Sequence, residues 1–255
     1  MTKQPPASAE TATEALPPAP WQRAPQRSAR RRRDPITQEV IVETALRILD
    51  SEGLEGLSMR RIAEELDTGA ASLYWHVGSK DGLLDLLFDH VIGEQQIPDP
   101  DPPRWQEQLK EVARLQRATI LRHRDIVAIS LGRIPMGPNA LRYSERVLAI
   151  LRAGGVPDDL AVSGYLLLIA VVNGFTLDES ADEQPSGDAG APSQDAARDY
   201  IASLPLAQFP NLTAVAGEFT GVDQDGRFEL LLDLFVGGLA RRVATDEKRA
   251  RGRSK

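Results

Sequence analysis

The chain has 255 residues, 42% hydrophobic and 26% charged, which suits one large soluble domain or two small ones and excludes a mini-protein held by staples. Cysteine is absent, so disulfides, thiolate metal sites and cysteine nucleophiles are excluded. The net charge of −7 argues against a nucleic-acid partner at face value, but residues 1–34 carry seven basic and three acidic groups, residues 241–255 seven and two, and the stretch between them 16 and 32.

Residues 1–26 are rich in Pro, Ala and Thr and poor in large apolar side chains, which predicts a disordered segment. Arg27, Arg30, Arg31, Arg32 and Arg33 follow as a basic run, closed by Asp34-Pro35; together residues 1–34 read as a disordered basic arm. From Thr37 the pattern is helical: Ile41, Ala45, Ile48 and Leu49 share a face, and Gly53 gives a stop. Ser58 can cap a second, shorter helix with Ile62, Ala63 and Leu66 inward, and Asp67-Thr68-Gly69 breaks it in one tight turn. A third short helix, Ala70 to His76, begins at once and ends at Gly78. Ser79 can cap a fourth, with Leu83, Leu84, Leu87, Phe88 and Val91 apolar, up to the proline-rich break at Pro98–Pro103.

Beyond the break, Trp105, Leu109, Val112 and Ile120 mark a long helix, and Leu141, Leu148 and Leu151 another that stops at Gly154-Gly155. Residues 157–177 are apolar nearly all round at their centre, which predicts burial in a core or a subunit interface. Residues 179–196 are acidic and rich in small residues, a loop or disordered insert, and Phe228–Val243 is a last apolar helix before a basic, solubilising tail at 244–255. The longest uninterrupted apolar stretch, Tyr165–Val172, falls short of the roughly twenty residues of a bilayer span. The Pro-rich start lacks an apolar signal core, so a cytoplasmic protein with no membrane partner is expected.

A packing helix followed by two short helices across a tight turn has the shape of a helix-turn-helix, whose second short helix enters the major groove. In Ala70-Ala71-Ser72-Leu73-Tyr74-Trp75-His76 the small residues allow close approach to base edges, while Tyr74, His76 and the following Lys80 can hydrogen-bond phosphates. Leu73 reads as core; Trp75 is compatible with either core or DNA surface.

Through GLEGLSMRRIAEEL at 53–66 and SLYWHVGSKDGLLD at 72–85 the sequence resembles the tetracycline-repressor (TetR) family of bacterial regulators. The likeness continues through Trp105, HRD at 123–125, Leu131-Gly132, Pro135, the glycine pair at 154–155 and FELLLDLFVGGL at 228–239, and so covers roughly residues 36–243. It implies an all-α homodimer: an N-terminal three-helix helix-turn-helix domain at 35–82 and a C-terminal helical effector-binding and dimerisation domain at 83–243. It also implies that the helices at 157–177 and 227–243, with Leu168 and Leu232 on them, form a four-helix dimer interface. At the DNA surface it places Arg60, Ala70, Ala71, Ser72, Tyr74, Trp75, His76 and Lys80. Two positions depart from the family pattern, Asp67 in place of a turn glycine and Gly69 in place of a polar cap; Asp tolerates left-handed backbone and Gly is an acceptable cap.

In the C-terminal domain the resemblance places Val112, Gln116, Ser130, Ile134, Ala170 and Asp178 at effector positions, with Arg146 as a further orienting group. The family's magnesium-binding imidazole position holds Ser130 and an arginine position holds Ile134, and the oxygen donors of Ser130 and Asp178 are too few to rebuild a hard-cation site. No metal and no cofactor are expected, and an apolar organic effector fits better than a tetracycline–metal chelate. His76, His90 and His123 have no paired spacing for zinc, and no nucleophile elbow, P-loop or dinucleotide fingerprint points to an enzyme.

The reading is a ligand-responsive, sequence-specific transcriptional regulator that represses from a palindromic operator on double-stranded DNA. The alternative is a sequence-nonspecific nucleic-acid-binding or interaction module acting through the basic arm. Residues 35–80 hold four basic groups against eight carboxylates, so the arm, with Arg31 and Arg32 at its centre, is expected to supply positive charge in an adjacent minor groove. Deleting residues 1–33 should weaken operator binding and flatten its salt dependence in a titration series; unchanged affinity contradicts the assignment.

Overall fold

A computed structural model of the chain describes residues 36–183, 194–219 and 223–253. The basic arm at 1–34, with Arg31 and Arg32, lies outside them. Every regular element among the described residues is helical.

The first four helices follow from their caps. α1 (Gln38–Gly56) starts where Thr37 accepts a hydrogen bond from the Val40 amide. Gly53, at φ 77°, turns its last residues out of line, so the expected stop there is a kink within one element. α2 (Met59–Glu65) is capped by Ser58 through the Arg61 amide. Asp67 adopts φ 46°, supplying the left-handed turn residue that the sequence lacks as glycine. α3 (Ala70–Val77) follows from an N-cap, Gly69, that offers no side chain, and ends at Gly78 with φ 75°. α4 (Lys80–Gly93) opens on the Ser79 cap one residue later.

The body comprises α5 (Trp105–Leu121), α6 (Ile126–Ser130), α7 (Pro138–Ala153), α8 (Asp158–Glu183) and α11 (Gln224–Arg253), with α9 (Gln194–Ala202) and α10 (Pro210–Ala214) between the last two. At five residues α6 is too short to announce itself by periodicity. α8 continues past 179, where a loop or insert was expected, because Glu179 is itself buried and clasped by Arg117. α9 likewise starts inside the 179–196 stretch. α11 runs beyond Val243 into the basic tail, whose strong helix formers carry no apolar stripe to reveal them. The 194–219 segment packs chiefly on itself, α9 against α10 and the 216–219 turn, leaving Tyr200, Leu206 and Phe209 exposed.

Two apolar clusters hold the molecule. One joins Ile41, Leu49, Ile62, Leu73, Leu83 and Leu87 to Ile120, Ile126, Val127 and Ile129, so its residues come from both sides of position 82. The other is built by α5, α7, α8 and α11 around Leu109, Val112, Ile150, Val172, Phe228 and Leu232. Along α5 and α11 an antiparallel ladder closes it: Lys110 meets Asp233 at 2.6 Å, Arg114 reaches both Glu229 oxygens at 2.7 and 2.8 Å, and Arg117 meets Asp225 at 2.7 Å. Hydrogen bonding from Arg114 holds the Glu229 carboxyl below its usual range, so the clasp persists until acidification passes that lowered value.

α8 and α11 each bury one face and leave another apolar. Leu168 and Leu232 are 1% and 0% exposed, so both belong to the core of a single protomer rather than to an outer surface as expected. Their solvent-facing counterparts are Val162, Leu166 and Leu167 on α8 and Leu230 and Leu234 on α11. Asp158–Ser180 is long and apolar enough to cross a bilayer by composition, yet here one side of it is committed to the protein core.

Candidate functional site

α3 divides cleanly. Leu73 and Val77 point into the first core, whereas Ala71, Tyr74, Trp75 and Gly78, at i, i+3, i+4 and i+7, form an outward face. Tyr74 is 47% and Trp75 44% exposed, which removes core packing as the role of Trp75 and agrees with it for Leu73. The Trp75 ring meets His76 edge-on at 4.8 Å, orienting both at the C-terminal end of the helix. That end is fastened to α1 by Gln38, whose side-chain amide donates to the His76 carbonyl at 3.2 Å. Ala70, Ser72 and His76 are half-buried along the margins, and Lys80 lies exposed at the first residue of α4. The structure thus gathers Ala70, Ala71, Ser72, Tyr74, Trp75, His76 and Lys80 on one short stretch of surface.

The α2 arginines differ from one another. Arg61 is held by both Glu52 and Glu65 at 2.9 Å, an arrangement that fixes α2 against α1. Arg60 has a single partner, Glu64, at 2.9 Å, and its side chain is almost fully exposed. Such an exposed i,i+4 pair is screened by water and contributes little, so Arg60 can exchange Glu64 for a phosphate or base edge at little cost.

In the body, three of the seven residues expected to meet an effector come together. Val112 is fully buried. Next to it a polar relay crosses four helices: Tyr143 on α7 donates to the Gln116 side-chain oxygen on α5 at 2.8 Å, and Gln116 donates to Asn173 on α8 at 2.7 Å. Asn173 in turn approaches Ser130 on α6 at 3.4 Å, whose hydroxyl donates to the Val127 carbonyl. Burial pushes the Tyr143 hydroxyl far above its ordinary range, so it stays a neutral donor.

The other four fall elsewhere. Ile134 stands 77% exposed in the loop after α6. Arg146 is on the outer face of α7, paired with Asp99. Ala170 and Asp178 are on the exposed side of α8, the latter facing Arg227 at 3.9 Å. The α8 register explains both, since it turns 168, 172, 176 and 179 inward and leaves 170 and 178 outside. Ser130 and Asp178, the two oxygen donors weighed for a cation, are therefore not brought together.

Sequence reasoning missed Tyr143 and Asn173. Each was visible in retrospect as a polar residue in an otherwise apolar register, Tyr143 among Ala140, Val147 and Ile150, and Asn173 at the centre of α8. It also missed the junction to the first helices. His123, one of the three histidines without zinc spacing, sits between Asp50 at 3.2 Å and Glu94 at 3.0 Å. Asp125, at φ 58°, accepts the Leu54 amide at 2.8 Å, and Asp50 accepts the Arg124 amide.

An outward helix face with small and hydrogen-bonding residues, carried on a second short helix after a tight turn, defines a helix-turn-helix DNA-binding regulator. Comparison with known proteins supplies the family. Residues 41–87 match the model for bacterial regulatory proteins of the tetR family, and residues 98–243 match that for the tetracyclin repressor-like C-terminal domain. The chain belongs to the TetR family of transcriptional regulators, and as such acts on DNA and is not an enzyme. An HTH-type transcriptional regulator of Saccharopolyspora erythraea is 34% identical over 92% of this chain and 97% of its own. The HTH-type transcriptional repressor DrrR1 of Streptomyces coeruleorubidus is 31% identical over 86% of this chain and 83% of its own. Among solved structures, ActR of Streptomyces coelicolor in complex with actinorhodin is 48% identical with a TM-score of 0.76, covering 82% of this chain and 99% of that one.

Lys80, the first residue of α4, is exposed, and its ammonium group is free to face solvent where a phosphate could be met. Lys80→Ala should weaken binding to all DNA sequences alike and reduce the slope of log affinity against log salt by about one. A variant that changed sequence preference instead would show that Lys80 reads bases.

Proposed function

We propose that this chain is a cytoplasmic, homodimeric repressor that binds a palindromic operator through α3 of each protomer and is released by a small organic effector. The outward face of Ala71, Tyr74 and Trp75 on α3 carries the reading, since these side chains are turned to solvent and not into the core of the protomer. The apolar stripes of α8 and α11 support a dimer: Leu166, Leu167, Leu230 and Leu234 form a large exposed surface on a lone protomer. A two-fold axis would lay the two pairs against each other as a four-helix interface.

The relay around Gln116 supports an effector site in the body, between α5, α7 and α8. Val112 gives it an apolar wall, while Gln116, Asn173 and Tyr143 offer hydrogen-bonding groups able to orient a ligand. The solved ActR complex, whose chain is 48% identical to this one, holds actinorhodin, and DrrR1 is named a repressor. Separation of Ser130 from Asp178 favours an effector that binds without a hard cation. Ile134, Arg146, Ala170 and Asp178 could join such a site only from the outer faces described above. An effector with higher affinity for a conformer of unsuitable head spacing would release DNA through that difference.

The test is selection from a pool of random duplexes by the full chain at near-physiological salt. A two-fold symmetric sequence with half-sites about one helical turn apart is expected, and the doubly substituted Leu166→Glu, Leu234→Glu chain should be monomeric and select nothing. Binding without sequence enrichment contradicts the proposal and favours nonspecific action through the basic arm. Titration calorimetry with tetracycline and magnesium should give no binding heat; magnesium-dependent binding would overturn the effector assignment.

A further inference from the structure

One contact across the junction of the first four helices and the body is a capping interaction supplied by a neighbouring helix. α7 starts without a cap of its own: its N-cap is Gly137, which has no side chain, and Pro138 has no amide hydrogen. The next two amides are directed at Asp89 on α4. The Ala140 amide donates to Oδ1 at 2.9 Å, and the Asn139 amide approaches Oδ1 and Oδ2 at 3.1 and 3.3 Å. The Asn139 side-chain amide also donates to the Asp89 carbonyl at 3.1 Å. Asp89 is only 8% exposed, so its charge depends on these donors and on the positive end of the α7 dipole.

The backbones are close at this point. A methyl group on Gly137 would overlap the Asp89 carboxylate, and one on Gly93, a turn further along α4, would lie 2.6 Å from the Asn139 side-chain nitrogen. Losing the amides would leave an uncompensated buried carboxylate, so α4 and the start of α7 are constrained to move together. Each end of this connection leads to a working part. α4 begins at Lys80, three residues after the last residue of α3, and Tyr143 of the polar relay lies one helical turn beyond Ala140.

We propose that Asp89 is a positioning residue: by capping α7 from α4 it fixes the recognition helix to the body and passes movement of the Tyr143 region to it. The proposal rests on the repressor reading above for its functional consequence, and on the α4–α7 geometry alone for its mechanical one. Arg133 reinforces the same pair of elements, joining the loop before α7 to Asp81 at 3.0 Å and Asp85 at 2.7 Å on α4.

The test uses the full chain labelled with fluorotryptophan, because Trp75 reports the recognition helix and buried Trp105 reports the body. Of the three fluorine resonances, that of Trp21 is assigned by Trp21→Phe and set aside, and in the unsubstituted protein those of Trp75 and Trp105 should lose their native positions together on heating. In Asp89→Ala, Trp75 should be lost at least about 5 °C before Trp105. Gly137→Ala, which breaks the contact from the other side, should give the same separation, and Asp89→Asn, keeping one acceptor oxygen, a smaller one. Simultaneous loss in all three variants, at whatever temperature, would reduce Asp89 to a general stabiliser and overturn the proposal.

The second readout is affinity. For the duplex selected by the unsubstituted chain, Asp89→Ala should lose at least about tenfold, while affinity for a random duplex stays within about twofold. Equal loss on both duplexes would contradict the proposal. If no duplex is ever selected, the repressor reading fails by itself, and the fluorine comparison still decides the role of Asp89.

Discussion

The apolar core beneath the recognition helix is closed by the body. Ile120, Ile126, Val127 and Ile129 occupy the same cluster as Leu49, Ile62, Leu73 and Leu87, so α3 has no position of its own apart from α5 and α6. Each of these side chains contributes roughly 1.5–3 kcal/mol by burial, against about 0–1 kcal/mol for an exposed ion pair. Packing therefore sets how firmly the reading head is held. The directional contacts around it, Asp125 to the Leu54 amide, His123 between Asp50 and Glu94 and Asp89 to α7, select one register among those that packing alone would permit. Such a junction suits a regulator: a shift in the body has few ways to be absorbed before it reaches α3.

Charge has the opposite distribution to the one that the net value of −7 suggests for a DNA-binding protein. Several body arginines are engaged internally, Arg114 by Glu229 and Glu107 and Arg117 by Glu179 and Asp225. Arg117 also stacks over Phe228 at 4.9 Å, so its guanidinium serves the core of the α5–α8–α11 face. On the reading head Arg61 is tied twice, whereas Arg60 is tied once and weakly. A surface that commits its cations in this way binds phosphate poorly in general. On the proposed reading it leaves base discrimination to a few side chains on α3, and phosphate binding to Lys80 and to whatever the arginines of the N-terminal arm contribute.

Legibility followed the length of the periodic signal. The caps at Thr37, Ser58 and Ser79 and the apolar stripes of α1, α4 and α5 could be read directly, and so could the left-handed turn at Asp67, because each depends on residues near in sequence. The split of α3 into Leu73 inside and Tyr74 outside was also local. What escaped depends on partners far along the chain. Glu179 reads as the start of an acidic loop until Arg117, 62 residues away, is seen to bury it. Asp89 reads as a surface carboxylate until α7 arrives without a cap. Leu168 and Leu166 are equivalent in an all-apolar helix, and only the packing of α8 shows which faces the core. The expected effector residues were hardest for the same reason: the family likeness placed six and Arg146 joined them as an orienting group, and the helix register kept Val112, Gln116 and Ser130 together while Ile134, Arg146, Ala170 and Asp178 fell on outer faces.

In the proposed repressor, body and reading head form one unit whose spacing in the dimer decides DNA binding. Because the chain contains no cysteine, a single spin label can be placed at exposed Glu43 on α1 by substitution to cysteine. The distance between the two labels of the dimer can then be measured by pulsed electron resonance, free and bound to the selected duplex. The account predicts one narrow distance on DNA and a distribution in the free dimer that is also narrow, displaced by no more than a few ångströms. Heads that sample a broad range of separations in the free dimer would contradict it.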